Sequence, residues 1–326
     1  MKKNVIFVCL LLSLFSNVHA LNDRFLTYCK STNHAELNIM DNKLQEALSC
    51  YAAAFSLYPQ PLAKDIHNAI VCAKKIGDEQ KIKKYLRLMI ATKNLNPKYY
   101  SQERLLKYLS KEEKESIQKK YTDKIKSEDY QFIQKLIQED HAIRTPENYS
   151  QRYYLINKTD STTYEKYKAH FGDALQGEEL TLNLPRELEI DWVLFRHWTS
   201  DFKVTEAHRQ IISLDAIDRA IKMMEDLKLL NYHYAFYYDA KTDNSDFWGF
   251  GLVLKTVFKT KKIRKLVNNN KKVSYTLLSP ETIVEIDKKR AAIGMETYQE
   301  YVRKVAFFTK NKEYCFFKGH AKRILG

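Results

Sequence analysis

Residues 37–93 read LNIMDNKLQEALSCYAAAFSLYPQPLAKDIHNAIVCAKKIGDEQKIKKYLRLMIATK. Ala47, Tyr51, Ala54 and Pro59 place small, aromatic and small side chains at helical spacing ahead of a terminating proline. Ile66, Ala69, Ile70 and Ala73 then fall at i, i+3, i+4 and i+7, the period of one apolar helix face. Gly77-Asp78 marks a helix stop, and Ile82, Leu86 and Met89 resume the stripe on the next helix. Small residues on facing stripes let antiparallel helices approach closely. The stretch therefore predicts three packed helices, and with them a helical protein.

Composition agrees with that reading over the whole chain. Its 326 residues include only 8 Gly and 6 Pro, about 4 % where ~12 % is usual. Sandwiches, barrels and doubly wound sheets consume turn residues every few positions, so those classes are excluded. With 44 % hydrophobic residues the chain can bury a core, which excludes wholesale disorder. The expected class is mainly α, with a minor β element near 247–278, where Gly249 and Gly251 interrupt an aromatic, β-branched segment.

The other end of the argument is the N-terminus. Lys2 and Lys3, the apolar run Val5–Phe15 and the small residues of Val18-His19-Ala20 have the order of a secretory signal peptide, with the mature chain starting near Leu21. No later run is long and apolar enough to span a bilayer. The expected location is exported, periplasmic or secreted. The expected organisation is a leader at 1–20, a helical-repeat segment at 21–96, a charged connector at 97–127 and a mostly helical domain at 128–326. Along it the pattern predicts a break at 94–100 around Pro97, charged helices at 101–109, 111–125 and 128–144, the second opened by a Ser110-x-x-Glu113 capping box, and a helix at Thr162–Phe171. Removing Lys2 and Lys3 from the 54 basic residues leaves 52 against 40 acidic ones, a net of +12. The densest basic run is Lys255–Lys272, which contains no acidic residue; for an exported chain its expected partner is an anionic envelope surface rather than nucleic acid. The plainer alternative is a solvated basic ribbon.

Four cysteines follow the leader: Cys29, Cys50, Cys72 and Cys315. They show neither CxxC nor zinc-ligand spacing, so no metal site is expected, and Cys50 and Cys72 read as small buried thiols on adjacent helices. No GxSxG, P-loop, GxGxxG after a strand or HExxH occurs, and no cofactor is expected. The charged groups that stand against apolar surroundings are Asp140 and Arg144 at i, i+4, His197 among Trp192, Phe195 and Trp198, Asp239 after a run of aromatics, and Arg290 before Gly294. Asp140 and Arg144 can pair structurally or aim together into a cleft. His197 can be a hydrogen-bonded core histidine or, with carboxylates near it, a general acid–base group.

Two resemblances follow from these residues. The 37–93 pattern is similar to about one and a half tetratricopeptide repeats, lacking the tryptophan and with Ile82 and Met89 where alanines are usual. The ordered set Asp140-His141-x-x-Arg144, His197, Ala235-Phe-Tyr-Tyr-Asp239, Trp248-Gly249-Phe-Gly251 and Asp287-x-x-Arg290-x-x-Ile293-Gly294-Met295 resembles a bacterial domain family of no assigned activity. That family carries Gln, Tyr and Asn at the positions of His141, Trp248 and Asp287. The combination behind a leader is similar to exported proteins of Bacteroidetes type. The function this implies is an interaction or scaffold role in the cell envelope, with residues 37–93 docking a protein partner. The alternative is an envelope hydrolase using His197 with Asp140, Arg144 or Asp239.

Overall fold

The computed structural model describes residues 24–58, 61–92, 95–144, 153–171 and 279–316. Over these the chain is mainly helical and contains no strand. Residues 24–40 form α1, followed by α2 (Leu44–Leu57), α3 (Ala63–Lys75), α4 (Glu79–Thr92), the short α5 (Pro97–Gln102), a 3₁₀ turn (Leu106–Tyr108), α6 (Lys111–Lys126), α7 (Glu128–Ile143), α8 (Tyr153–Phe171), α9 (Pro280–Ala292) and α10 (Tyr298–Lys310). The β element expected near 247–278 lies outside the described residues, as do His197, Asp239, Pro59 and the basic run 255–272.

The deciding stretch folds as its periodicity predicts. Ala47, Tyr51 and Ala54 of α2, Ile66, Ala69, Ile70 and Ala73 of α3, and Ile82, Leu86 and Met89 of α4 are all buried, and all but Ala54 belong to one core. Gly77 closes α3 at φ 74°, with the Asp78 N–H donating back to the Ala73 carbonyl at 3.0 Å. Asn42 (φ 58°), Arg104 (φ 55°) and Gly294 (φ 71°) end their helices in the same way, with six-to-one bonds onto Asn38, Tyr100 and Arg290. The αL residue supplies the reversal that satisfies the orphan carbonyls.

Three expectations need correction. Pro97 does not sit in a break: Asn96 caps α5 by accepting from the Lys98 N–H, and proline at the first helical position loses no hydrogen bond. Of the helix expected over 101–109, residues 101–102 close α5 and the rest is a turn and a 3₁₀ segment. The helix expected at Thr162–Phe171 starts nine residues earlier, at Tyr153. Asn157, Thr159, Ser161, Thr162 and Thr163 have low helix propensity, but Tyr167 and Tyr164 pack on Ile133, Leu136 and Ile137 of α7, and that packing outweighs propensity. Ser110 and Glu113 form the expected capping box that opens α6, and a second box, Thr297 with Glu300, opens α10.

The far end of the chain returns to the near end. Phe308, Tyr314 and Phe316 belong to the same core as α2–α4. Asn33 of α1 donates to the Gly294 carbonyl at 2.7 Å, and Arg303 of α10 pairs with Asp41 at 3.0 Å. At Gly294 the fit is close: a Cβ there would stand 3.0 Å from the Cβ of Cys29 and 3.3 Å from the Leu26 carbonyl oxygen. Contacts therefore cross the boundary drawn between the repeat segment and the C-terminal region.

Candidate functional site

The central helix α3 is buried on every side: Ala63 through Ala73 are eleven consecutive buried residues. Its apolar face meets α2 and α4. The opposite face carries Lys64, Asp65, His67 and Asn68, and four polar side chains cannot be desolvated without partners. Those partners come from α1, α5 and the C-terminal arm.

Lys64 Nζ donates to Glu36 Oε1 at 2.7 Å and to Asp65 Oδ1 at 2.5 Å. Glu36 also takes a bond from Lys304 Nζ at 2.7 Å, and Lys304 continues to Glu296 at 3.3 Å and Asn33 Oδ1 at 3.1 Å. Glu296 in turn holds Arg290, whose Nε donates to the Glu296 carbonyl at 2.6 Å and whose guanidinium lies 4.9 Å from the centre of the Tyr301 ring. The Tyr28 hydroxyl closes the other end, donating to Asp65 Oδ2 at 2.6 Å and accepting from the Leu62 N–H at 2.8 Å. Three cations and three carboxylates, all at most 5 % exposed, thus form one neutral chain across α1, α3, α9 and α10.

Electrostatics follow position. Burial works against the Glu36 carboxylate, yet two ammonium groups outweigh it and hold its pKa below the ordinary value. Asp65 has one ammonium and a neighbouring carboxylate, so burial wins and its pKa is raised. Lys64 is pulled upward despite burial because it faces both carboxylates. Tyr28 is pushed well up by burial and by Asp65. Every ion in the seam has an opposite-charge partner, and the arrangement fastens helices rather than exposing a reactive group.

Of the site residues expected from sequence, Asp140 and Arg144 are brought together. Arg144 Nε donates to Asp140 Oδ1 at 2.8 Å, and its Nη2 pairs with Asp160 of α8, a partner the sequence did not suggest. Asp140 and Asp160 thus flank one guanidinium from two helices. Burial first, and Asp140 second, push Asp160 up to about 6 against the pull of Arg144. The pair is closed: Asp140 is 0 % and Asp160 1 % exposed. His197 and Asp239 lie outside the described residues. Arg290 belongs to the seam, and Asp287 accepts from the Tyr298 N–H at 2.6 Å, joining α9 to α10.

Glu36, Lys64, Asp65, Glu296 and Lys304 escaped the sequence reading. Lys304 carried a usable signal: it falls on the apolar stripe Tyr301, Lys304, Phe308, where a charge must have a buried partner. The cysteines are free thiols; Cys29 and Cys72 are buried, whereas Cys50, expected buried, is half-exposed on α2. Among the described residues no group of three or more His, Cys, Asp or Glu is placed to hold a metal, and no helix is long and apolar enough to cross a membrane. Comparison with protein-family models, curated proteins and solved structures gives no match.

Proposed function

We propose that the chain is an exported interaction scaffold whose α2–α4 helices dock a protein partner, with the basic run Lys255–Lys272 resting on an anionic envelope surface. The observation that carries this reading is the disposition of α2–α4. Antiparallel helices wrap an α3 that is buried from Ala63 to Ala73, its Lys64 and Asp65 are engaged inward, and the outer face of α2 is solvent-exposed along Gln45, Ser49, Ala52, Ala53 and Ser56. Such short side chains allow a partner backbone to come close. The hydrolase alternative has less support, because Asp140 and Arg144 are spent on each other and on Asp160 behind a closed surface.

The test uses the full-length chain expressed with its own leader. A photo-crosslinking residue at Ala53 is compared with one at Glu285, which is also exposed, on α9. The expected result is a mature chain beginning near Leu21 outside the cytoplasm, and a discrete adduct from Ala53 alone. A chain retained in the cytoplasm with its leader intact, or the same adducts from both positions, overturns the reading. Turnover of an envelope polymer that is lost in Asp140→Asn at unchanged melting temperature replaces it with the hydrolase.

A further inference from the structure

Two lysines are buried among the described residues, Lys64 of α3 and Lys304 of α10. Lys64 is held by the carboxylates of Glu36 and Asp65. Lys304 meets an amide as well. Its Nζ donates to Glu36 Oε2 at 2.7 Å and to Asn33 Oδ1 at 3.1 Å. Asn33 and Glu36 stand at i and i+3 on α1, the spacing that places both on one face of the helix. The Asn33 amide is held in its orientation, because its Nδ2 donates to the Gly294 carbonyl at 2.7 Å. Asn33, Glu36 and Lys304 are 7 %, 1 % and 2 % exposed, so bulk water is kept from all three. A primary amine, a carboxamide and a carboxylate are fixed together in one closed place.

We propose that Lys304 and Asn33 join in an intramolecular amide bond, Nζ to Cγ, with Glu36 as the group that takes the lysine proton. Along their 2.7 Å hydrogen bond the ammonium passes that proton to Glu36, which turns a buried ion pair into a neutral amine and a neutral acid. The amine lone pair attacks Cγ, and the carbonyl electrons move to Oδ1. When they return, the Cγ–Nδ2 bond breaks and its electron pair leaves with the nitrogen. That nitrogen takes a second proton from Nζ and departs as ammonia. One C–N bond forms and one breaks, and no other reactant is needed. Glu36 keeps the first proton, so Lys64 and Arg290 then face the carboxylates of Asp65 and Glu296 and the seam stays neutral. Lys64 lacks this outcome, since an ionised carboxylate is a poor electrophile and Asp65 is its neighbour in the chain. The new bond links positions 271 residues apart and makes the clasp between α1 and α10 covalent.

Position supplies the rate. The carbonyl carbon lies one bond, about 1.2 Å, beyond Oδ1, so a shift of about 1 Å or less brings Nζ to attacking distance. Groups held in this way react with effective molarities of about 10⁵ M and above, and a positioned acid–base group adds about 10²–10⁴-fold. The experiment measures intact and peptide masses of the full-length chain, purified folded and incubated at neutral pH. Expected are a mass one ammonia below that of the sequence and a branched tryptic peptide joining residues 31–43 to 304–310, because an acylated Lys304 is no longer cleaved. Lys304→Arg keeps the positive charge without the amine, and should show the full sequence mass and separate peptides. Glu36→Gln should slow bond formation at least about a hundredfold. If either variant does not fold, the wild-type mass and its branched peptide decide. A folded wild-type chain that keeps the full mass and is cleaved at Lys304 overturns the proposal. So does an ammonia loss that the peptides place elsewhere, and an unchanged rate in folded Glu36→Gln overturns the role of Glu36.

Discussion

Replacing Lys304 by Met tests whether the buried seam holds the two ends of the chain together. The substitution keeps the length and apolar stem of the side chain and removes only the ammonium. Its contacts at 2.7 Å to Glu36 and 3.3 Å to Glu296 each amount to roughly 5–6 kcal/mol of gross attraction at an effective dielectric of about 20. Most of that sum offsets the desolvation of the ammonium and its carboxylates. What the variant loses is set by what it leaves behind: three buried carboxylates facing two cations. Breaking one partner out of a buried network costs about 3–5 kcal/mol, a large share of the ~5–15 kcal/mol that folds a domain.

The assay is urea unfolding followed by circular dichroism at 222 nm, run on the single variant, on Glu296→Gln and on the pair. Restoring neutrality in the double variant should return at least about 1 kcal/mol relative to the sum of the single effects, because groups within one network couple. A loss under about 1 kcal/mol for Lys304→Met, or strict additivity, refutes the reasoning: the seam would then be wet, and the C-terminal arm held by apolar packing alone.

Gly294→Ala must place a side chain at φ 71° and within 3.0 Å of Cys29 Cβ, whereas Gly77→Ala at φ 74° meets open space. Chemical denaturation should show about 1 kcal/mol lost at Gly77 and at least about twice that at Gly294; equal losses would mean that α1 does not press on the α9–α10 turn. Asp160 has its pKa raised from 3.8 to about 6, so the folded hairpin binds the proton more tightly than the unfolded chain. Its contribution is full below pH ~4 and declines as pH rises through ~6, by about 1–2 kcal/mol once partial solvation is allowed for. Hydrogen exchange of the α7–α8 amides should follow that decline, and Asp160→Asn should abolish the pH dependence. Ser110→Ala removes the acceptor for the Glu113 N–H and should cost about 1 kcal/mol, read as faster exchange in the first turn of α6.

The apolar stripes of α2, α3 and α4 were legible because burial against neighbours in sequence leaves a period, and the period needs no knowledge of the rest of the chain. Asp140 and Arg144 were legible because both lie on one helix. Asp160, which completes their site, was not, because nothing in 153–163 signals a helix until Tyr164 and Tyr167 find α7. The seam was hidden by a different cause. A helix buried on one side and a helix buried on both sides show the same apolar stripe, and the second side of α3 is covered by residues 279–316, more than two hundred positions away. What betrays such a face is a charge at a position that the stripe reserves for an apolar side chain. Lys304 between Tyr301 and Phe308, Arg290 between Ile286 and Ile293, and Asp140 beside Ile133 and Leu136 all meet that description. Arg290 and Asp140 stood out in the sequence; Lys304 did not, because one lysine among so many carries little weight by composition. Weighed by position it carries a great deal, since a buried ammonium demands a carboxylate. Here it has two, one from each end of the chain.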